Sequence, residues 1–220
     1  MKKLRSSTLV LVVILSASLR CRAADDQTAT SSAAKEIWQA SGGENWNNVK
    51  ELRFTFVVEQ DGKTLASVQH DWNVSAGTDH VQWKDKDVTV SLTNPASDED
   101  GKAAYARWVN DSYWLLAPLK ILDPGVNVND EGMKEMDGTS SHAMHVSFGQ
   151  VGLTPSDEYV FYIEPQTHLM RSWDYKPKTG QGMHATWEKY QEFGGLHLST
   201  EHHFNDKVIR FAGIEVIASK

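Results

Sequence analysis

Cysteine is almost missing from this 220-residue chain, in which Cys21 is the only one. That excludes a disulfide framework and a multi-thiolate metal site. Catalytic signatures are missing too. There is no HExxH helix, GxSxG elbow, P-loop or GxGxxG in the sequence, so metalloprotease, elbow-type hydrolase, nucleotide and dinucleotide chemistry have no motif support. No apolar run reaches the roughly 18 residues that a membrane span needs. With 40% apolar and 23% charged residues, the composition is that of a globular domain and not of a disordered or collagen-like chain.

Positive charge is scarce once the first residues are set aside. Lys2, Lys3 and Arg5 precede a short apolar run, Leu9 to Leu15, followed by Ser16, Ala17 and Ser18. This is the pattern of a secretory signal over residues 1–23. Cys21-Arg22-Ala23 offers small residues at the positions signal peptidase reads, with a cut before Ala24. Cys21 also leaves open acylation and a membrane-anchored lipoprotein, although Arg20 stands where a lipobox has a small residue. Removing the five basic residues of the leader leaves 17 basic against 29 acidic side chains. A body with a net charge of −12 repels nucleic acid and anionic lipid surfaces. The expected place is the periplasm.

The body, residues 24–220, reads as one domain. Ala33 to Ala40 predicts a short helix ended by Gly42-Gly43. The period then changes to two. Leu52, Phe54, Phe56 and Val58 alternate with more polar residues, and Asp61-Gly62 predicts a hairpin turn. Ala66, Val68, His70, Trp72 and Val74 share the next face. Strands are expected over His80–Lys84 and Asp87–Leu92. A helical insertion of about 96–122 follows, with helix formers from Ala103 to Leu116 and an end at Asp123-Pro124-Gly125. About six more strands are expected: Ala143–Phe148, Tyr159–Glu164, His168–Tyr175, Met183–Gln191, Leu196–Phe204 and Val208–Val216. The fold class is α+β, mainly β: a curved antiparallel sheet forming an incomplete barrel, with helices lidding its concave face.

Aromatic residues are the richest candidates for function. Eight Trp lie in the body. Most are expected to fill the core. Phe54, Phe56, Trp72, Trp83, Trp108, Trp114 and Leu115 are the candidates for lining an apolar ligand cavity. Asp123, Pro124 and Gly125, with Gly101, are candidate hinge residues, though turns use such residues everywhere. His142 and His145 face opposite ways in a strand, as do His202 and His203, which opposes a shared metal site. The acidic pairs Asp98-Glu99-Asp100, Asp130-Glu131 and Asp157-Glu158 read as solvated loops and caps. No cofactor, metal or catalytic residue is expected, and the chain reads as a non-enzyme.

Several stretches together resemble a group of exported bacterial proteins. They are Asn110 to Pro118, the Asp123-Pro124-Gly125 turn, Gly42-Gly43 with Trp46, Thr154-Pro155-Ser156-Asp157-Glu158-Tyr159, and Pro165-Gln166-Thr167-His168-Leu169. That group is similar in layout to the periplasmic lipoprotein-carrier superfamily typified by LolA and LolB. The resemblance implies an open antiparallel barrel lidded by helices, and non-covalent carriage of acyl chains or lipoproteins. The implied partners are lipid or lipoprotein acyl chains and an envelope membrane protein, the protein itself acting as a monomer. It carries over no individual site residue. Two other readings stay open: a structural or partner-binding envelope protein with a filled barrel, and a hydrolase with dispersed carboxylates.

Overall fold

The computed structural model describes residues 32–149 and 151–219. The expected leader, its expected cleavage point and Cys21 lie outside the described residues. Two short helices come first, α1 over 32–40 and α2 over Gly43–Trp46. Four strands follow: β1 Val49–Gln60, β2 Lys63–Asn73, β3 Thr78–Trp83 and β4 Lys86–Ser91. The long helix α3 spans Glu99–Leu116 and runs into a 3-10 turn at Ala117–Lys120. Eight more strands complete the chain: β5 Val126–Met136, β6 Thr139–Phe148, β7 Glu158–Ile163, β8 Met170–Lys176, β9 Met183–Thr186, β10 Glu188–Phe193, β11 Leu196–Phe204 and β12 Lys207–Ala218.

All pairings are antiparallel. One sheet has the order β10-β11-β12-β1-β2-β3-β4, the other β5-β6-β7-β8-β9. The two are continuous through the segment 183–193, which is one run of extended chain broken at Trp187. Its first half pairs with β8 and its second half with β11. Thr186 stitches the seam, its carbonyl accepting from His202 Nδ1 and its hydroxyl oxygen from the His203 N–H. The result is a curved, unclosed surface with β4 and β5 as its edges, a geometry that avoids the strain of one flat sheet with many strands.

The alternating pattern fixes the inner face. Leu52, Phe54 and Phe56 of β1 stand opposite Trp72, His70 and Val68 of β2. They bury with Val81, Leu198, Ile209 and Phe211 of the same sheet and with Met144, Phe161 and Trp173 of the other. Each such side chain contributes roughly 1.5–3 kcal/mol by leaving water. Both sheets wrap the main core, with α3 laid across it, and Ala143, Val160 and Tyr162 form a smaller cluster on the other face of the five-stranded sheet.

Asp61 and Gly62 take positive φ, as a tight right-twisted hairpin requires. Gly42 ends α1 for a steric reason. At φ 85 its Cβ would fall 2.1 Å from the Gly195 carbonyl oxygen. That approach lets Asn45 donate to Gly195 O and lets His197 bond Ala40 O, tying both short helices to the β10–β11 turn.

Two strand expectations need correction. β5 lies outside the strands expected from the sequence: Val126 and Val128 alternate with Asn127 and Asn129, but the apolar positions stop at Asp130, so the run is too short to mark a strand. It is an exposed edge strand whose register shifts between Asp130 and Met133, so the acidic pair Asp130-Glu131 sits in a bulge. Met183–Gln191 is two strands rather than one, because the chain changes sheets at Trp187. Among the described residues no helix is long and apolar enough to cross a membrane.

Candidate functional site

Helix α3 organises the interior. Asp98 caps it, accepting the Gly101 N–H at 2.9 Å. Glu99 and Asp100 follow in the first turn, where the helix dipole favours acidic groups. Gly101 sits where a Cβ would press on the Ala96 methyl at 2.5 Å. The helical run ends because Pro118 has no N–H to continue it.

One face of α3 is fastened to the seven-stranded sheet. The Arg107 guanidinium lies 4.9 Å from the centroid of the Trp83 ring. Trp108 meets Trp72 edge-on at 5.3 Å. Lys86 donates to Asp100 at 2.8 Å. At the centre is a buried triad. His70 of β2 has Nδ1 2.6 Å from Asp79 Oδ2 of β3 and Nε2 3.1 Å from Asp111 Oδ2 of α3. The His70 and Asp79 side chains have no exposed surface, and Asp111 has 4%. Burial pushes the His70 imidazole down, the hydrogen bonds to Asp111 and Asp79 push it up, and the net direction is up. Phe54 stacks on the imidazole at 4.6 Å.

The face of α3 toward the five-stranded sheet is different. Tyr113 reaches Trp173 and Tyr159, and Trp114 lies 4.6 Å from Trp173. Beside these contacts is a cavity of about 480 Å³. It is bounded by α3, the 3-10 turn, the turn at Asp123-Pro124, the segment after β6, and strands β7, β8 and β9. Its wall is mainly aromatic and aliphatic, with Tyr105, Trp108, Val109, Phe148, Leu153 and Met183 among the contributors. Exposed Leu153 and Val151 are among its lining residues. Volumes of about 300–1,000 Å³ are usual for small-molecule sites.

The polar groups in that wall are mostly neutral. Burial holds the Tyr113 and Tyr159 hydroxyls well above the ordinary tyrosine range. Neither makes a hydrogen bond among the described residues. Tyr175 is pushed up to about 12 by burial and by its bond to Asp157. The one charged pair in the wall, Lys120 with Asp123, neutralises itself. Gly125 closes the adjoining turn at φ 88, with its Cβ position 2.8 Å from Val151 Cγ1.

The seven candidate ligand residues divide. Trp108 and Trp114 line the cavity. Phe54, Phe56, Trp72, Trp83 and Leu115 belong to the packed core and not to its wall. Of the candidate hinge residues, Asp123 and Pro124 line the cavity and Gly125 is next to it. Tyr113, Tyr159, Trp173 and Met183 were not singled out in the sequence. They sit at apolar positions, and strand alternation alone does not say which stretch of the face stays unfilled.

No family model and no curated relative matches the chain. A DUF1329 family protein from Desulfovibrio piger is similar at 10% identity and a TM-score of 0.48, over 85% of this chain and 92% of that one. A LolA superfamily protein from Nitrosomonas europaea gives 8% and 0.48, over 85% and 94%. A putative outer membrane lipoprotein-sorting protein domain from Vibrio parahaemolyticus gives 8% and 0.44, over 83% and 93%. The likeness lies in overall layout, and no part of the site's chemistry depends on it.

Other polar clusters are balanced within the protein. Glu188, Glu201 and His203 have ligand atoms within 4.8 Å of one another. Glu201 there is already bracketed by Lys189 and Arg210, which opposes a cation. His202 is a core group. Burial lowers it to about 3, so its ring stays neutral between Trp187 and Phe211. His70 cannot serve the cavity as a base, since both its nitrogens are occupied and it does not line the wall.

Proposed function

We propose that this protein is a non-enzymatic binding or carrier protein for a lipid, with acyl chains held in the cavity beside α3 and the chain exported to the periplasm. The observation that supports this is an apolar cavity of about 480 Å³ bounded by an aromatic-rich wall, with the neutral hydroxyls of Tyr113 and Tyr159 and one self-compensating charged pair. Each methylene moved from water into such a site gains about 0.8 kcal/mol. A ten-carbon stretch would therefore gain roughly 8 kcal/mol before the cost of immobilisation. Tyr113 and Tyr159 would take the polar end of the ligand, and Trp108, Val109, Trp173 and Met183 its chain. Turn residues Asp123, Pro124 and Gly125 would yield when the ligand enters. An envelope protein would receive or deliver the cargo, and the carrier would work as a monomer.

Native mass spectrometry of the protein recovered from an envelope extract without detergent tests the reading. The expected result is a discrete added mass that lipid analysis resolves into one or two acyl chains. An apo mass, together with no uptake of an added fluorescent fatty acid, would replace it with the partner-binding reading. The same spectrum gives the mature N-terminus: Ala24 for a soluble form, lipid-modified Cys21 for an anchored one.

A further inference from the structure

The most unusual chemistry in the molecule lies outside the cavity wall, in the Asp79–His70–Asp111 triad. Buried ionisable groups are costly and do little for stability compared with apolar side chains of the same size. A core position facing Phe54 could have carried a leucine at no electrostatic cost. Instead β2, β3 and α3 each contribute one titratable group to a single buried chain of hydrogen bonds. The chain does not end at Asp111. The Asn110 amide donates to Asp111 Oδ1 at 2.8 Å, and Asn110 lines the cavity. Ser112, the next residue along, lines it as well.

A hydrogen-bonded path therefore runs from the cavity wall into the core: Asn110, Asp111, His70, Asp79. Its surroundings hold few other charges. β1 presents Phe54 to His70, and β4 places Val90 opposite Asp79. On α3, Arg107 precedes Asp111 by one turn and lies over Trp83 instead. Lys86 and Asp100 pair with each other further along. Asp79 Oδ1 is buried without a hydrogen-bond partner among the described residues, so the triad is not a fully satisfied structural network.

We propose that Asp79, His70 and Asp111 are positioning residues. The protonated imidazole clamps α3 to the seven-stranded sheet, and loss of that proton releases the helix and with it the cavity wall. The chemistry is direct. With both ring nitrogens protonated, His70 donates to a carboxylate on each side. With one proton gone, one carboxylate faces a bare lone pair in a medium of low dielectric, and that side of the clamp repels. If the lost bond is the one to Asp111, the element that moves carries Val109, Asn110, Ser112 and Tyr113 of the wall. The clamp would hold while His70 keeps its second proton and loosen as pH rises through the titration of His70. A group whose pKa differs by one unit between clamped and released states changes the clamp equilibrium tenfold.

This inference rests on the cavity being the binding site, and its test separates the two. The His70 imidazole is followed by NMR from pH 5.5 to 9, together with the backbone amides of Val109 and Leu115. In parallel, release of a fluorescent fatty acid is followed by stopped flow. His70 should titrate above the roughly 6.5 of an exposed histidine. The α3 amides should shift with the same midpoint, and release should quicken by about tenfold or more across it. Asp111→Asn, which keeps the side chain's shape, should lower the His70 midpoint and flatten the release profile. Amides on α3 that ignore the His70 titration would overturn the clamp even if the probe binds. A probe that never binds would sink the cavity reading, while the amide titration would still decide the clamp.

Discussion

Helix α3 meets the two halves of the sheet on opposite terms. Toward the seven-stranded sheet it is fastened, by a buried ionic triad, a cation–π contact and interlocked Trp rings. Toward the five-stranded sheet it leaves room: Tyr113 and Trp114 touch Trp173, and beside them about 480 Å³ stays open. The same kind of aromatic residue serves both sides. Trp72 and Trp83 close a core, and Trp108 stands between core and cavity. Aromatic content marks the interior of this protein, and the fixing of α3 on one side decides which part of that interior remains unfilled.

The largest effect is expected from breaking the fastened side. Asp111→Ala leaves His70 buried with one partner and should cost about 3–5 kcal/mol in denaturant unfolding, the range for removing one member of a buried ion pair. A cost under about 1 kcal/mol, the level of an exposed pair, would mean that the triad is not a buried network.

The two buried histidines should give opposite pH responses. His70 has a raised folded value, so its contribution to stability is complete below about 6.5 and declines as pH rises through the folded titration. His202 is lowered to about 3. The unfolded chain binds that proton first, so stability falls as pH drops from about 6.5 toward 3. A stability profile from pH 4 to 9 should show both arms. His202→Phe, whether or not it lowers stability overall, should remove the contribution to the acid arm and leave the alkaline arm in place.

A smaller loss is expected at the turn beside the cavity. Gly125→Ala forces a side chain into the left-handed region and against Val151, a cost of about 1–2 kcal/mol. The smallest stability change belongs to the open side. Val109→Trp places bulk into existing space and should move unfolding by no more than about 1 kcal/mol while removing the cavity's capacity. A large destabilisation there would show that the space is too small or too rigid to take a ring.

Much of the sheet was legible from period-two alternation, and the Asp61-Gly62 hairpin from its turn chemistry. The start of α3 was legible from the polar run Asn94 to Glu99. β5 was not, because its alternation extends only over Val126 and Val128 before the strand turns polar and mostly exposed. The break at Trp187 was hidden because a change of sheet costs one backbone pairing and leaves no mark in composition. The site was legible only in kind. Sequence placed apolar side chains inward but could not say which of them met others and which met empty space. His70 was placed correctly on the inner face of β2. Its partners, 9 and 41 residues away, come together only through strand register and the seating of α3. An Asp at position 79, inward-facing between His80 and Thr78, was the one signal that could have raised the question.

The most direct test of the central claim is an equilibrium titration of residues 24–220 with a fluorescent fatty acid, read by tryptophan-to-probe energy transfer, for wild type and Val109→Trp side by side. The account predicts saturable uptake at one site in the wild type, and uptake weakened at least about tenfold, or about 1.4 kcal/mol, in the variant. No saturable uptake by the wild type, or equal uptake by both proteins, would contradict it.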